Sequence, residues 1–345
     1  MKPVMTNQVG TAIFTEGVDA AVPWHFGDPF REQRALAESA AVVDRGNRDV
    51  LVVPGDDRLA WLHTICSQHV ADLQDRASTE SLVLSPHGHV EQHWSVTELD
   101  GTVWIDTEPG AAEEVLAYLQ KMRFLKRVEP ADVSAEWGVV SIGGPTTVQV
   151  LTAAGFPVPS PQRAERLTKG GFVRRAAWSA TDGADLLVPA AEIRPTLDAL
   201  IAAGAEPAGM WAFEALRVQG RRPRLGFETD HRTIPHEVGW IGSAVHLNKG
   251  CYRGQETVAR VHNLGRPPRR LVLLHLSGDS DALPAPGTPI EFAGRTVGFV
   301  GTALHHVELG PIALALVKRS IDDGAPLTAA GAPVAVDPDN PSRPA

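Results

Sequence analysis

Residues 249–256 read KGCYRGQE and set one of the chain's two cysteines between a lysine and an arginine. A thiol acts as nucleophile or metal ligand only as the thiolate, and nearby cations favour that form. Lys249, Arg253 and Arg260 are positioned in the sequence to supply such charge. Gly250 and Gly254 open backbone angles closed to other residues, so a tight turn is expected around Cys251. The following QETVAR has helix character, which sets the thiol just before a helix N-terminus, a second influence that favours the thiolate. A lone cysteine is in general more often a small buried hydrophobe. Here the neighbours Tyr252, Gln255 and Glu256 do not make an apolar face, so Cys251 is the candidate reactive group and Lys249 its activating partner. Cys66, in the apolar stretch DRLAWLHTICSQ, reads as a buried side chain.

A second grouping is HGHVEQHWSV. As a strand it would carry His87, His89, Glu91 and His93 on one face and Val90, Trp94 and Val96 on the other. Three histidines and a glutamate on one face have the donor types for zinc or iron, but such a face is more often polar, solvated or ligand-facing, and no permanently bound metal is expected. A third grouping is basic. QGRRPRLGF (219–227) and LGRPPRRL (264–271) flank the octapeptide, each with three arginines. They fit either a solvated surface or a pocket for an anionic ligand.

The elements that must position these residues are legible in outline. The chain has 345 residues, 43% hydrophobic and 21% charged, enough for two or three globular domains. Its formal charge of −9 argues against a general nucleic-acid or anionic-membrane binder. Two cysteines give no disulfide framework, and neither a secretory signal nor a membrane-length apolar run is visible, so the cytoplasm is the expected compartment. Residues 1–30 read as an irregular, loosely attached arm. FREQRALAESAAVVD (30–44) has helical spacing. DVLVVPG reads as a strand, with Asp56 or Asp57 capping the helix behind it. SLVLSP, HVEQHWSVTEL and TVWIDTE read as three consecutive strands, and GAAEEVLAYLQKMRF as an amphipathic helix. VVSIGGP and ADLLVP read as further strands, each followed by a helix, and WAFEALRVQG as another helix. The rhythm is not a clean βαβ alternation, so the expected class is α+β. After Pro267 and Pro268, short β-rich runs split by Gly and Pro predict a small β-barrel over 266–336. Residues 337–345 (DPDNPSRPA) read as a disordered tail.

The octapeptide closely resembles the signature of the YgfZ-type folate-binding proteins, relatives of the aminomethyltransferase of the glycine cleavage system (the GcvT superfamily). GDDRLAWLHTICSQHV, EALRVQGRRPRLGFETDHRTIPHEVGW and the β-rich tail agree with it, so the resemblance spans roughly residues 30–335. It implies a three-domain cloverleaf around a central folate channel, with residues 31–265 forming two interleaved α+β subdomains. It also implies tetrahydrofolate or a one-carbon derivative as ligand. The implied role is assembly or repair of iron–sulfur proteins as partners, with an indirect effect on tRNA modification.

The resemblance assigns Glu237 to the pterin, whose adjacent N–H donors suit a carboxylate. Trp240 would pack against a ring or fill core, and Arg217, Arg269 and Arg270 would meet the anionic tail or form structural ion pairs. Where the aminomethyltransferases carry an aspartate that acts on the folate nitrogen, this chain has Gln92 and His93. An amide does not exchange a proton near neutral pH, and imidazole is a different acid and base. Standard aminomethyl transfer is therefore disfavoured, and an accessory factor using Cys251 is expected ahead of two alternatives, a folate-dependent transferase or demethylase of a small amine and a non-catalytic docking module. One cysteine cannot hold a cluster alone, so any cluster contact would be shared with a partner.

Overall fold

A computed structural model describes residues 10–176, 181–278 and 282–339. Three β-structures organise the chain. The first sheet has five strands, with Ser78–Leu84, Val90–Leu99 and Thr102–Thr107 forming an antiparallel meander that continues through Asp49–Pro54 to Ala131–Asp132. Period-2 burial in Val90–Leu99 turns Val90, Gln92, Trp94 and Val96 inward, while Glu91, His93 and Ser95 face the other way. Helices Arg58–Ile65 and Ala112–Arg123 cover its inner face, and Leu51, Trp61, Trp94, Ile105, Val115 and Leu119 form one core there. Asp57 starts the first of these helices without a side-chain cap, because its carboxylate accepts from Arg127 instead.

The second sheet has six strands, Ala164–Arg166, Phe172–Arg175, Gly183–Pro189, Trp137–Gly143, Ala41–Arg45 and Glu206–Ala208 in spatial order. Helices Thr147–Ala153 and Ile193–Ala202 pack on it. Here one expectation fails. The helix predicted over 30–44 ends at Glu38, and Ala41–Arg45 is a strand. Its AVVD run is buried between two cores, and β-branched Val42 and Val43 suit that two-faced setting.

The third unit is a closed barrel of Arg269–Leu276, Pro289–Phe292, Arg295–His306, Gly310–Lys318, Leu327–Ala329 and Ala332–Val336. Closure removes the exposed sheet edges that such short strands would otherwise present. The fold is thus mixed α and β with a C-terminal barrel, as the sequence implies.

Both ends depart from the sequence reading. Within the described part of residues 1–30, Val22 is fully buried, Trp24 stacks on Trp211, and Asp19 is held by Arg224 at 2.6 and 2.8 Å. This segment is built into the body of the protein by a buried ion pair and an aromatic stack. At the other end Asp337 pairs with His275 at 2.8 Å and Arg221 at 3.0 Å, so ordered chain extends past Val336. The rest of the expected tail, 340–345, lies outside the described residues.

Candidate functional site

A cavity of about 450 Å³ lies between the two sheets, within the size range of small-molecule sites. The first sheet contributes Glu80, His93, Ser95 and Asp106, and the second contributes Arg45, Arg174 and Asp185. Helix Met210–Gln219 and the chain after it close the space with Phe213, Arg217, Arg222 and Arg224. Seven arginines line it (45, 48, 174, 175, 217, 222, 224) against six carboxylates (19, 80, 106, 108, 182, 185). So many charges tolerate burial because they are paired. Arg48 donates to Asp106 at 2.9 Å and to Glu108 at 3.1 Å, and Arg174 meets Asp106 at 2.5 Å and Asp185 at 3.1 Å. Burial works against ionising Asp106, yet Arg174 and Arg48 outweigh it and hold the carboxyl below the usual range.

Arg45 is the loosely held cation. It donates to Ser141 Oγ at 3.1 Å, stands 3.6 Å from Asp185, and lies over the Phe213 ring at 4.3 Å. Burial, followed by the neighbouring Arg48, pulls its pKa down to about 10. A ligand that brings negative charge here would relieve that strain. The cavity thus offers Arg45, 3.6 Å from Asp185, to the anionic tail of a folate, while its carboxylates are engaged by the other arginines.

His93 stands in the wall. Its ring stacks on the fully buried Trp240 (4.8 Å between centroids, 23° between planes), and its Nε2 lies 3.3 Å from Glu80 Oε2. Glu80 also accepts from Arg222. Burial raises the Glu80 pKa, but the bonds and charges of His93 and Arg222 prevail and bring it down to about 2.

The other expected ligand contacts are placed elsewhere. Glu237 is not in the cavity wall. It ends the short 3₁₀ turn Pro235–Glu237, accepts from Ile234 N at 3.1 Å, and is gripped by Arg269 Nε at 2.9 Å and Nη2 at 2.8 Å. With Asp230 also bonded to Arg269, this cluster ties the central segment to the barrel, and both Glu237 and Arg269 are engaged there outside the cavity wall. Arg270 likewise bonds Asp323 and the Ile321 carbonyl. Gln92, one residue from His93, points to the opposite face and is buried beside Val90 and Trp94. Trp240 acts through His93 as a stacking support. Arg217 does reach the wall, but Glu214, Glu228 and Thr302 occupy it.

The octapeptide docks on the hairpin turn between Ser78–Leu84 and Val90–Leu99. Gly254, at φ +82°, starts helix Gln255–Leu264, and a Cβ there would meet Ser85 O at 2.6 Å and Gly88 Cα at 2.9 Å. Gly250 lies outside the positive-φ region, so only Gly254 of the two needs glycine's backbone freedom. Arg253 donates to both carboxylate oxygens of Glu91 at 2.8 and 3.2 Å, and Gln255 donates to Lys249 O at 3.2 Å. Tyr252 is buried, while Glu256 and Arg260 are exposed. Cys251 is exposed and is not part of the cavity wall, whereas Cys66 is buried as expected and burial raises its pKa.

Lys249 is not aimed at activating that thiol. Its buried ammonium donates to the carbonyls of His63 and Cys66, both at 2.6 Å, and of Gln68 at 2.9 Å. Burial lowers its pKa to about 8. It caps the end of helix Arg58–Ile65, and through Gln68, a cavity residue, it moors the Cys251 loop to the cavity's rim.

The imagined metal face does not converge. Glu91 is taken by Arg253 and His93 by Glu80, and the His87 and His89 rings are 6.1 Å apart. Among the described residues no group of three or more His, Cys, Asp or Glu is arranged to hold a metal ion.

The sequence alone did not single out Glu80, Arg45, Arg48, Arg174, Asp106 or Asp185. The run GRRPR was the available signal. Arg222 and Arg224 from it enter the cavity, while Arg221 goes to Asp337.

Comparison with known proteins adds the following. The profile of the GCVT N-terminal domain matches residues 6–249, and that of the CAF17 C-terminal β-barrel domain matches residues 269–342. A protein of Arabidopsis thaliana provisionally named as a chloroplastic transferase is 26% identical over 76% of this chain, which spans 62% of that relative's length. An aminomethyltransferase of Symbiobacterium thermophilum is 26% identical over 81% of this chain and 79% of its own. In three dimensions the glycine cleavage system aminomethyltransferase T of Bartonella henselae superposes with a TM-score of 0.83 at 18% identity, covering 95% of this chain and 93% of that one.

Proposed function

The chain belongs to the GCVT family, in its YgfZ-type form with a CAF17 β-barrel, and from that premise we propose that it binds a reduced folate in the cavity between its sheets and serves iron–sulfur proteins as an accessory factor. The observation that carries the folate reading is the cavity itself, about 450 Å³ lined by paired arginines and carboxylates, with Arg45 short of a close carboxylate partner. The folate supplies a carrier nitrogen for one-carbon units, and this chain's residues orient it. Arg45 meets the anionic tail and His93 meets the reduced ring. Cys251 surfaces outside the cavity, where a partner protein can reach it, and Lys249 couples its loop to the cavity rim. No helix among the described residues is long and apolar enough to cross a membrane.

Tryptophan fluorescence during titration with tetrahydrofolate tests the first half of the proposal. Saturable binding that weakens at least about tenfold in Arg45→Met is expected, the loss of one charge-assisted contact; unchanged binding in that variant contradicts the tail assignment. For the second half, Cys251→Ser is expected to lower iron–sulfur enzyme activity in cells without loss of the fold, and full complementation by that variant removes the sulfur from the mechanism.

A second reading, a folate-dependent transferase acting on a small amine, is favoured by one feature only, the carboxylate-bonded imidazole in the cavity wall.

A further inference from the structure

We propose that the exposed turn KMRFLKR (121–127) is a docking surface for a partner protein that presents an apolar groove rimmed by aspartate and glutamate. For the identity of that partner, the iron–sulfur protein that Cys251 serves, the inference rests on the accessory-factor reading. It adds to that reading the surface that grips the partner.

The turn ends helix Ala112–Arg123. Phe124 and Leu125 are 87% and 84% exposed, the two most exposed large apolar side chains among the described residues, and Met122 is exposed beside them. Phe124 also sits at φ +42° and ψ −123°, a backbone region that bulky side chains avoid. The exposure does not come from a loose chain, because both ends of the turn are fixed. Trp61 Nε1 donates to Met122 O at 2.9 Å, and Arg127 N donates to Asp57 at 2.8 Å. Val128 is buried, and Gly55 packs so closely on Arg127 O that a Cβ there would overlap it. A rigid turn that holds apolar side chains in water is preorganised for a partner. Contiguous apolar surface with a polar rim marks such interaction sites.

The rim is basic. From Val115 to Val128 the chain has no acidic residue, and Lys121, Arg123 and Lys126 have no carboxylate partner among the described residues. Arg127 differs, being paired with Asp56 and Asp57, both at 3.1 Å. Three uncommitted cations around an apolar tip complement an acidic rim around an apolar groove. An anionic bilayer shares that chemistry, but as an extended plane it would face a molecule of net charge −9, whereas a groove meets only the tip.

Placement ties the tip to the thiol. Trp61, which holds Met122, and His63, whose carbonyl holds Lys249, belong to the same helix Arg58–Ile65. Tyr118, one turn before Met122, lies beside Arg253 of the octapeptide. The turn and the Cys251 loop thus hang from the same two helices, where one partner can engage both.

Two variants of the whole protein test the surface, Phe124→Asp/Leu125→Asp and Lys121→Glu/Lys126→Glu. Each is expected to bring iron–sulfur enzyme activity in cells down to the level of Cys251→Ser. Tetrahydrofolate affinity is expected to stay within about threefold of wild type, and the thermal midpoint to be unchanged, since all four side chains are exposed. Benzoylphenylalanine in place of Leu125 is expected to photocross-link an iron–sulfur protein in cells, and Lys121→Glu/Lys126→Glu to abolish that cross-link. Full activity in either double variant, with Cys251→Ser impaired, overturns the docking surface and leaves the accessory reading standing. Full activity in all three overturns both. Loss of activity with a lowered thermal midpoint also overturns the proposal, because it makes the turn a structural element. A cross-link only to a second copy of the chain, or to no iron–sulfur protein, overturns the partner named. So does co-sedimentation with phosphatidylglycerol vesicles that Phe124→Asp/Leu125→Asp abolishes, which would make the turn a membrane contact.

Discussion

Replacing Glu237 by glutamine separates a structural clamp from a ligand contact. The carboxylate is almost fully buried and accepts three donors, Ile234 N at 3.1 Å and Arg269 Nε and Nη2 at 2.9 and 2.8 Å. An amide keeps one acceptor oxygen and turns an NH₂ toward the guanidinium, so at least one of the two Arg269 bonds is lost and a donor faces a donor. Breaking one side of a buried ion pair costs about 3–5 kcal/mol. Arg269 keeps Asp230 through bonds of 2.7 and 3.1 Å and is partly exposed, which brings the expected loss below that range, to about 2–3 kcal/mol. Urea unfolding followed by tryptophan fluorescence and circular dichroism reads that loss, and tetrahydrofolate affinity is expected to stay within about threefold, since the residue lies outside the cavity wall. A Glu237→Gln protein of native stability that no longer binds folate would refute this reasoning and restore Glu237 to the pterin.

Thiol titration with an aromatic disulfide should find one rapidly reacting cysteine in the native protein, Cys251, and a second, Cys66, only in denaturant; two fast thiols or none contradicts the placement of both. Gly254→Ala forces a side chain at φ +82° against Ser85 O and Gly88, and is expected to cost at least about 1–3 kcal/mol and to change the labelling rate of Cys251; thermal melts and labelling kinetics equal to wild type would show that the close approach is not needed. Glu80 has a folded pKa of about 2 against an ordinary 4.5, so its stabilising contribution is complete above about pH 4.5 and is lost as pH falls toward 2. Acid unfolding of Glu80→Gln should accordingly show a shallower decline across that window, and a curve parallel to wild type would deny Glu80 its ionic partners.

The meander of the first sheet was legible because burial alternates from Val90 to Val96 and the turns at Pro86–Gly88 and Asp100–Gly101 punctuate the run of strands. Ala41–Arg45 was not, because its apolar run continues the spacing of the helix before it and only tertiary burial on both faces makes it a strand. Strands of two to four residues, such as Ala131–Asp132 and Ala164–Arg166, are too short to carry a pattern. At the site, the alternation that puts His93 on the face opposite Trp94 was readable. Its partner Glu80 was not, since strand register decides that pairing across 13 residues. Six of the cavity's arginines come in pairs from three distant segments (Arg45 and Arg48, Arg174 and Arg175, Arg222 and Arg224), and only the last pair lies in a basic run that stands out in the sequence. The Glu237 ion pair was not legible because Arg269, 32 residues on, reaches it only once the barrel has folded against the central segment. The polar neighbours of Cys251 correctly implied exposure, but nothing local reveals that Lys249 spends its charge on three carbonyls.

The most direct measurement is a crystal structure of the protein with tetrahydrofolate bound. The account predicts the ligand between the two sheets, its ring beside His93 and its glutamate tail at Arg45. Ligand density at Glu237 and Arg269 with the inter-sheet cavity filled only by water would contradict it.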